Sequence, residues 1–200
     1  MSPPRRLPGR PVDPVARAER SRAILAAARA CVARKGFHGA SVADISAAAG
    51  ISIASLYQSF PSKDALILAI AEDETRASIA LVGRLAGPGP FAERLRDVLD
   101  AIAEEARRAD ALALHLEIAA EALRSPRLAA MLRQAQEALL GALADTLAAA
   151  QARGELDPSL DPAGLARLLD IVADGLFAHV ALGIGDGAAA TAQLLRLLRL

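Results

Sequence analysis

Between residues 41 and 63, SVADISAAAGISIASLYQSFPSK, the chain gathers the hydroxyls of Ser41, Ser52, Ser55 and Ser59, the phenol of Tyr57, the amide of Gln58 and the ammonium of Lys63. Such groups form hydrogen bonds with phosphate oxygens and base edges. A glutamine amide can pair bidentately with adenine, and a lysine beside a helix N-terminus suits a phosphate. Covalent chemistry has no comparable set. There is no P-loop, no dinucleotide fingerprint after a strand, no GxSxG elbow and no HExxH pair. The histidines, at 38, 115 and 179, are scattered. Glu117 and Glu121 are spaced to share a helix face, as in carboxylate metal sites of helical bundles, but the Glu-x-x-His partner of such sites is missing. Cys31 is the only cysteine, so no intramolecular disulfide and no thiolate cluster can form. Binding is therefore expected rather than catalysis, with no metal and no cofactor.

The elements that must position these groups can be read from their punctuation. Ser41 is placed to cap a helix starting at Val42, with Asp44 closing the box from the third position. Val42, Ile45, Ala48 and Ala49 offer that helix a packing face, and Gly50 gives the freedom a sharp turn needs. Ser52 then caps a second helix, Ile53 to Ser59, with Leu56 and Phe60 on one side. Ile53, Ser55, Tyr57, Gln58 and Ser59 are left for the other side. Pro61 interrupts this helix, and Ser62 caps a longer one opening on Lys63 and Asp64.

At Gly50-Ile51-Ser52, Leu56-Tyr57, Phe60 and Lys63 the sequence resembles the DNA-binding domain of the tetracycline-repressor (TetR) family. The likeness runs back through RAERSRAILAAARACVARKGFHGASV, about 50 residues in all, and beyond residue 70 it is one of layout. The resemblance implies a helix-turn-helix whose DNA-facing set is Ser41, Ser52, Ile53, Ala54, Ser55, Tyr57, Gln58, Ser59 and Lys63. Ser55, Tyr57 and Lys63 would touch DNA, Ser41 a phosphate, and Gln58 a base. Ile53 and Ser59 depart from the family, where a basic residue or proline, and histidine or tyrosine, are common.

Charge agrees with that division. The formal total is zero, yet ten basic residues face three acidic ones up to Lys63, and 13 face 20 thereafter. A cationic segment joined to an anionic one is what a DNA-facing unit on a ligand-binding body would show. The first 14 residues hold five prolines and three arginines, which suits a flexible basic arm over residues 1–15. Its Gly9-Arg10-Pro11 leaves two readings open, general phosphate attraction or entry into a minor groove.

After residue 63 apolar residues recur at three and four, and nothing alternates as a strand. The expected fold is all-α, about nine helices. Breaks fall at Gly87 to Pro90, near Arg108 to Asp110, at Ser125-Pro126, at Gly154 to Pro162 and at Gly183 to Gly187. The domains expected are residues 16–63 for DNA and 64–200 for effector binding and dimerisation. No apolar run reaches the ~18 residues of a membrane span, and the start does not read as a signal peptide, so a cytoplasmic protein is expected.

Leu165, Leu168, Leu169, Val172, Leu176, Leu194, Leu195 and Leu198 give the last two helices wide apolar faces. Simple core burial would use them. The resemblance instead implies a four-helix bundle between two subunits, hence a homodimer on a pseudo-palindromic operator in double-stranded DNA. It also implies a small effector that moves the helix starting at Ser62. With Phe91 and Phe177 the only aromatics after residue 60, an apolar effector fits best. His115, Glu117, Glu121 and Met131 are the candidate contacts, although His115 equally suits a structural helix position. A helical adaptor without sequence-selective DNA binding is the alternative.

Overall fold

The computed structural model describes residues 14–200, so the expected arm lies almost wholly outside the described residues. Among these, nine α-helices follow one another: α1 (Pro14–Gly39), α2 (Val42–Ala48), α3 (Ile53–Ser59), α4 (Lys63–Gly83), α5 (Phe91–Ala106), α6 (Ala111–Ala122), α7 (Pro126–Ala152), α8 (Pro162–Ala181) and α9 (Ala188–Leu197). A 3-10 turn, Arg84–Ala86, extends α4, and every expected break separates two helices.

The small helices begin and end for local reasons. Ser41 Oγ accepts the Asp44 amide while the Asp44 carboxylate accepts the Ser41 amide, a complete capping box. Ser52 caps α3 through the Ser55 amide, and Ser62 caps α4 through that of Ala65. Gly50 joins α2 to α3 at φ 66°, where a side chain would be strained. One detail differs from expectation: Ser46 is buried with Ile45, whereas Ala48 is exposed.

Two apolar cores result. The first joins Ile24, Ala28 and Cys31 of α1, Ile45, Leu56, and Leu66, Ile67 and Ile70 of α4. It is completed by Leu114 and Ile118 of α6 and Leu128 of α7, so it continues past residue 63. Ile24, Ile45, Leu56, Ile70 and Leu128 are shut from solvent, each contributing about 1.5–3 kcal/mol. Cys31 is packed among them. Arg29 of α1 also holds Asp73 at 2.7 Å and pairs with Glu74, fastening α4 to α1.

The second core lies between α5, α7, α8 and α9. It corrects the expected dimer face. Leu165, Leu169, Leu176, Leu194, Leu195 and Leu198 are buried in it, and Val172 packs against it. The reason is that α9 folds back on its own chain: a Cβ at Gly187, φ 84°, would collide with Leu176, so the α8–α9 turn is drawn tight. Of the eight residues only Leu168 is exposed; Ile171, Leu182, Ile184 and Leu197, which were not anticipated, are exposed as well.

Candidate nucleic-acid interface and effector cavity

On α3, Ile53, Ala54, Tyr57 and Gln58 are exposed while Leu56 is fully buried, so the helix rests on one residue and presents the opposite face to solvent. Ser52 is exposed at its start, and Ser55 and Ser59 are half-buried. Ile53 and Tyr57, one turn apart, are each nearly half exposed, at 46% and 47%. A large apolar side chain and a phenol displayed together on a seven-residue helix suit contact with a partner rather than with the core.

Several hydroxyls have prior commitments. Ser41 Oγ donates to Asp44 Oδ2 at 2.7 Å and accepts the Asp44 amide at 3.0 Å. The Lys35 ammonium, 2.8 Å from Asp44, and the Ser41 hydrogen bonds hold that carboxyl far below the usual carboxylate range. Ser52 and Ser55 lie 3.0 Å apart, oxygen to oxygen, and the Ser55 amide donates to Ser52. Lys63 lies back over the Phe37 ring, 4.7 Å from its centroid, and donates to the His38 carbonyl at 3.2 Å. Two of its three ammonium hydrogens are left for a phosphate.

A cavity of about 870 Å³ opens among α4, α5, α6, α7 and α8. Leu81, Leu85, Leu99, Ile102, Leu143 and Phe177 form much of its apolar wall. Among the expected effector contacts, His115 lines it, its ring tilted against Phe177 at 5.7 Å. The others are corrected. Glu117 accepts the Phe37 amide at 2.8 Å, and Glu121 faces His38 at 3.1 Å. Both point from α6 toward the reader unit because Leu114 and Ile118, flanking them, are buried in that unit's core. Met131 packs on the same core and edges a separate recess with Leu68 and Arg127.

Asp170 and Asp174 also line the cavity. Gln136 donates to Asp170 at 2.6 Å. Asp174 keeps an exposed surface, yet partial desolvation of its carboxyl, with a smaller contribution from the nearby Asp170 charge, pushes that carboxyl up. Two acids one turn apart in a largely apolar helix are the sequence signal that would have found them.

A capped, exposed helix on a compact reader unit, set on a helical body with a cavity, is the arrangement of a helix-turn-helix DNA-binding regulator. Residues 24–70 match the model for bacterial regulatory proteins of the tetR family, and residues 90–199 that for the C-terminal part of BetI-type transcriptional repressors. The chain belongs to the tetR family. It is 34% identical to the HTH-type transcriptional regulator UidR of Escherichia coli over 158 residues, 78% of this chain and 79% of that one. It is 28% identical to the HTH-type transcriptional repressor AcnR of Corynebacterium efficiens, over 80% and 81% of the two chains. The solved structure of Salmonella enterica GusR superposes with TM-score 0.76 at 29% identity, covering 91% of this chain and 96% of that one. The fold is shared at lower identity by a Saccharomonospora viridis regulator in complex with choline (24% identical, TM-score 0.69, 90% and 94% covered). It is shared too by Bacillus subtilis FadR in complex with stearoyl-CoA (20% identical, TM-score 0.71, 88% and 96% covered). The protein is thus a DNA-binding transcriptional regulator and not an enzyme. No helix among the described residues is long and apolar enough to cross a membrane.

Proposed function

We propose that the protein is a cytoplasmic homodimeric repressor that occludes a pseudo-palindromic operator until a small, largely aliphatic effector enters its cavity. The observation that carries this reading is the exposed face of α3, mounted on the basic end of the chain. Residues 16–63 form the reader. Ser52, Ile53, Ala54, Ser55, Tyr57, Gln58 and Ser59 face the major groove, with Gln58 reading a base and Tyr57 and Lys63 touching phosphates. Ser41 adds its backbone neighbourhood to the phosphate side, since its hydroxyl hydrogen is held by Asp44.

Residues 64–200 supply the body. The partner subunit packs on Leu168, Ile171, Leu182 and Leu197, the apolar residues that α8, its C-terminal turn and α9 leave in solvent. Pairing of two copies sets their α3 helices roughly 34–36 Å apart, one turn of B-DNA. The effector lies along the apolar cavity wall with a polar end near His115 and Asp174, and the choline and stearoyl-CoA complexes of related folds support a ligand in such a body. Binding shifts the population between two head spacings.

Selection of bound fragments from a random duplex library at about 150 mM salt tests the reading, because weak phosphate attraction is largely screened there. Enrichment of a pseudo-palindromic site is the expected result. A folded dimer that enriches no sequence would overturn it in favour of a helical adaptor.

A further inference from the structure

Glu117 has an oxygen 2.8 Å from the amide of Phe37, a residue 80 positions away in the chain. That amide is available because α1 breaks at Gly36, whose φ of 72° and ψ of 162° interrupt the helical ladder. The Glu117 carboxylate fills the space beside Gly36, where an added Cβ would stand 3.2 Å from Oε1. One turn further along α6, Glu121 faces His38 at 3.1 Å. Phe37 and His38 in turn hold Lys63, by ring face and by carbonyl. On the same helix, Leu114 and His115 form part of the cavity wall.

We propose that Glu117 is a positioning residue through which α6 sets the Phe37-His38 turn, and with it Lys63 on the DNA side of the reader. The inference rests on the DNA-binding role of Lys63 proposed above. A carboxylate accepting a part-buried amide makes a short, charge-assisted hydrogen bond, so displacement of α6 drags the turn rather than sliding past it. The α6 route is separate from the Arg29 ion pairs that fasten α4 to α1. Coupling between sites is reciprocal, so operator binding must be felt in α6 even when the cavity holds nothing.

Amide hydrogen exchange on the full-length protein, with and without the duplex enriched by selection, tests this directly. In the unaltered protein the duplex slows exchange over residues 111–122, which lie away from α3. Glu117→Ala abolishes that response, exposes the Phe37 amide to exchange and weakens duplex binding about tenfold. Glu117→Gln, whose amide oxygen still accepts, stays within about threefold of the unaltered protein and keeps Phe37 protected. Binding of the duplex by the unaltered protein with no change over 111–122 overturns the inference, whether or not Glu117→Ala folds. So does a Glu117→Ala protein that binds as tightly as the original with Phe37 still protected. Failure of the unaltered protein to bind any selected duplex would count instead against the operator reading itself.

Discussion

On the proposed DNA-facing surface Gln58 and Lys63 would divide the labour. Gln58 is exposed on α3 with an amide that can match a base edge, whereas Lys63 offers a point charge with no sequence preference. Gln58→Ala is expected to relax preference at particular operator positions while leaving affinity for unrelated duplexes unchanged, as measured by competition binding. Lys63→Ala should weaken binding on all sequences and reduce the slope of log affinity against log salt by about one. The exposure of Gln58 was legible in the sequence because Leu56, an apolar side chain of the short helix, fixes which face turns inward. The roles first expected for Glu117 and Glu121 were not legible, since their spacing gives a face but not what lies opposite it. Asp174 carries a different prediction. Its carboxyl is pushed up in the folded chain, so the unfolded chain ionises more readily and the site costs stability at neutral pH, relieved as pH falls toward the ordinary carboxyl value near 3.8. Asp174→Asn should therefore raise the melting temperature slightly at pH 7, with the gain disappearing below about pH 4. Unchanged melting at pH 7 would show that the site exacts no such cost.

Short elements in this chain depend on their ends. Helices α2 and α3 have seven residues each, too few to persist alone, so a cap and a turn decide whether the reader exists. Gly50 stands in open space at φ 66°, with no atom within 4 Å of a would-be Cβ. Gly50→Ala should thus cost only the backbone strain, about 1–2 kcal/mol, in urea unfolding of the reader. A cost well beyond that would mean a steric clash. The helix boundaries here matched expectation from Ser41 to Ser62 because each is set by a residue and its neighbours three positions on. The Phe37-His38 turn differs: its geometry depends on a carboxylate from α6, and nothing within the local sequence announces it.

For the whole molecule, one face of α8 is committed to the core and the other lies open, where the partner subunit is proposed to pack. Leu169 is 5% exposed and belongs to the second core, while Leu168 beside it is 51% exposed. Leu169→Ala should destabilise the fold by roughly 2–5 kcal/mol, read by denaturant unfolding. Leu168→Asp combined with Ile171→Asp should leave that unfolding nearly unchanged yet give a monomer by analytical ultracentrifugation, with operator binding lost as the paired readers separate. A doubly substituted protein that stayed dimeric would move the interface elsewhere. The division of charge between a basic N-terminal segment and an acidic remainder, visible in composition alone, adds long-range attraction to DNA on the side of the reader.

The amino-acid sequence by itself determined the helices, the placing of their breaks, the reader's exposed face and the charge division. These rest on interactions among residues close in the chain, for which spacing is sufficient information. Tertiary structure alone decided which leucines of α8 and α9 stay inside, because a wide apolar face is equally compatible with its own core and with a partner. It also decided that Asp170 and Asp174 share a cavity with His115, and that Glu117 and Glu121 turn away from it to the reader. Which groups meet across 80 residues depends on how two cores pack together, and local periodicity does not encode that distance.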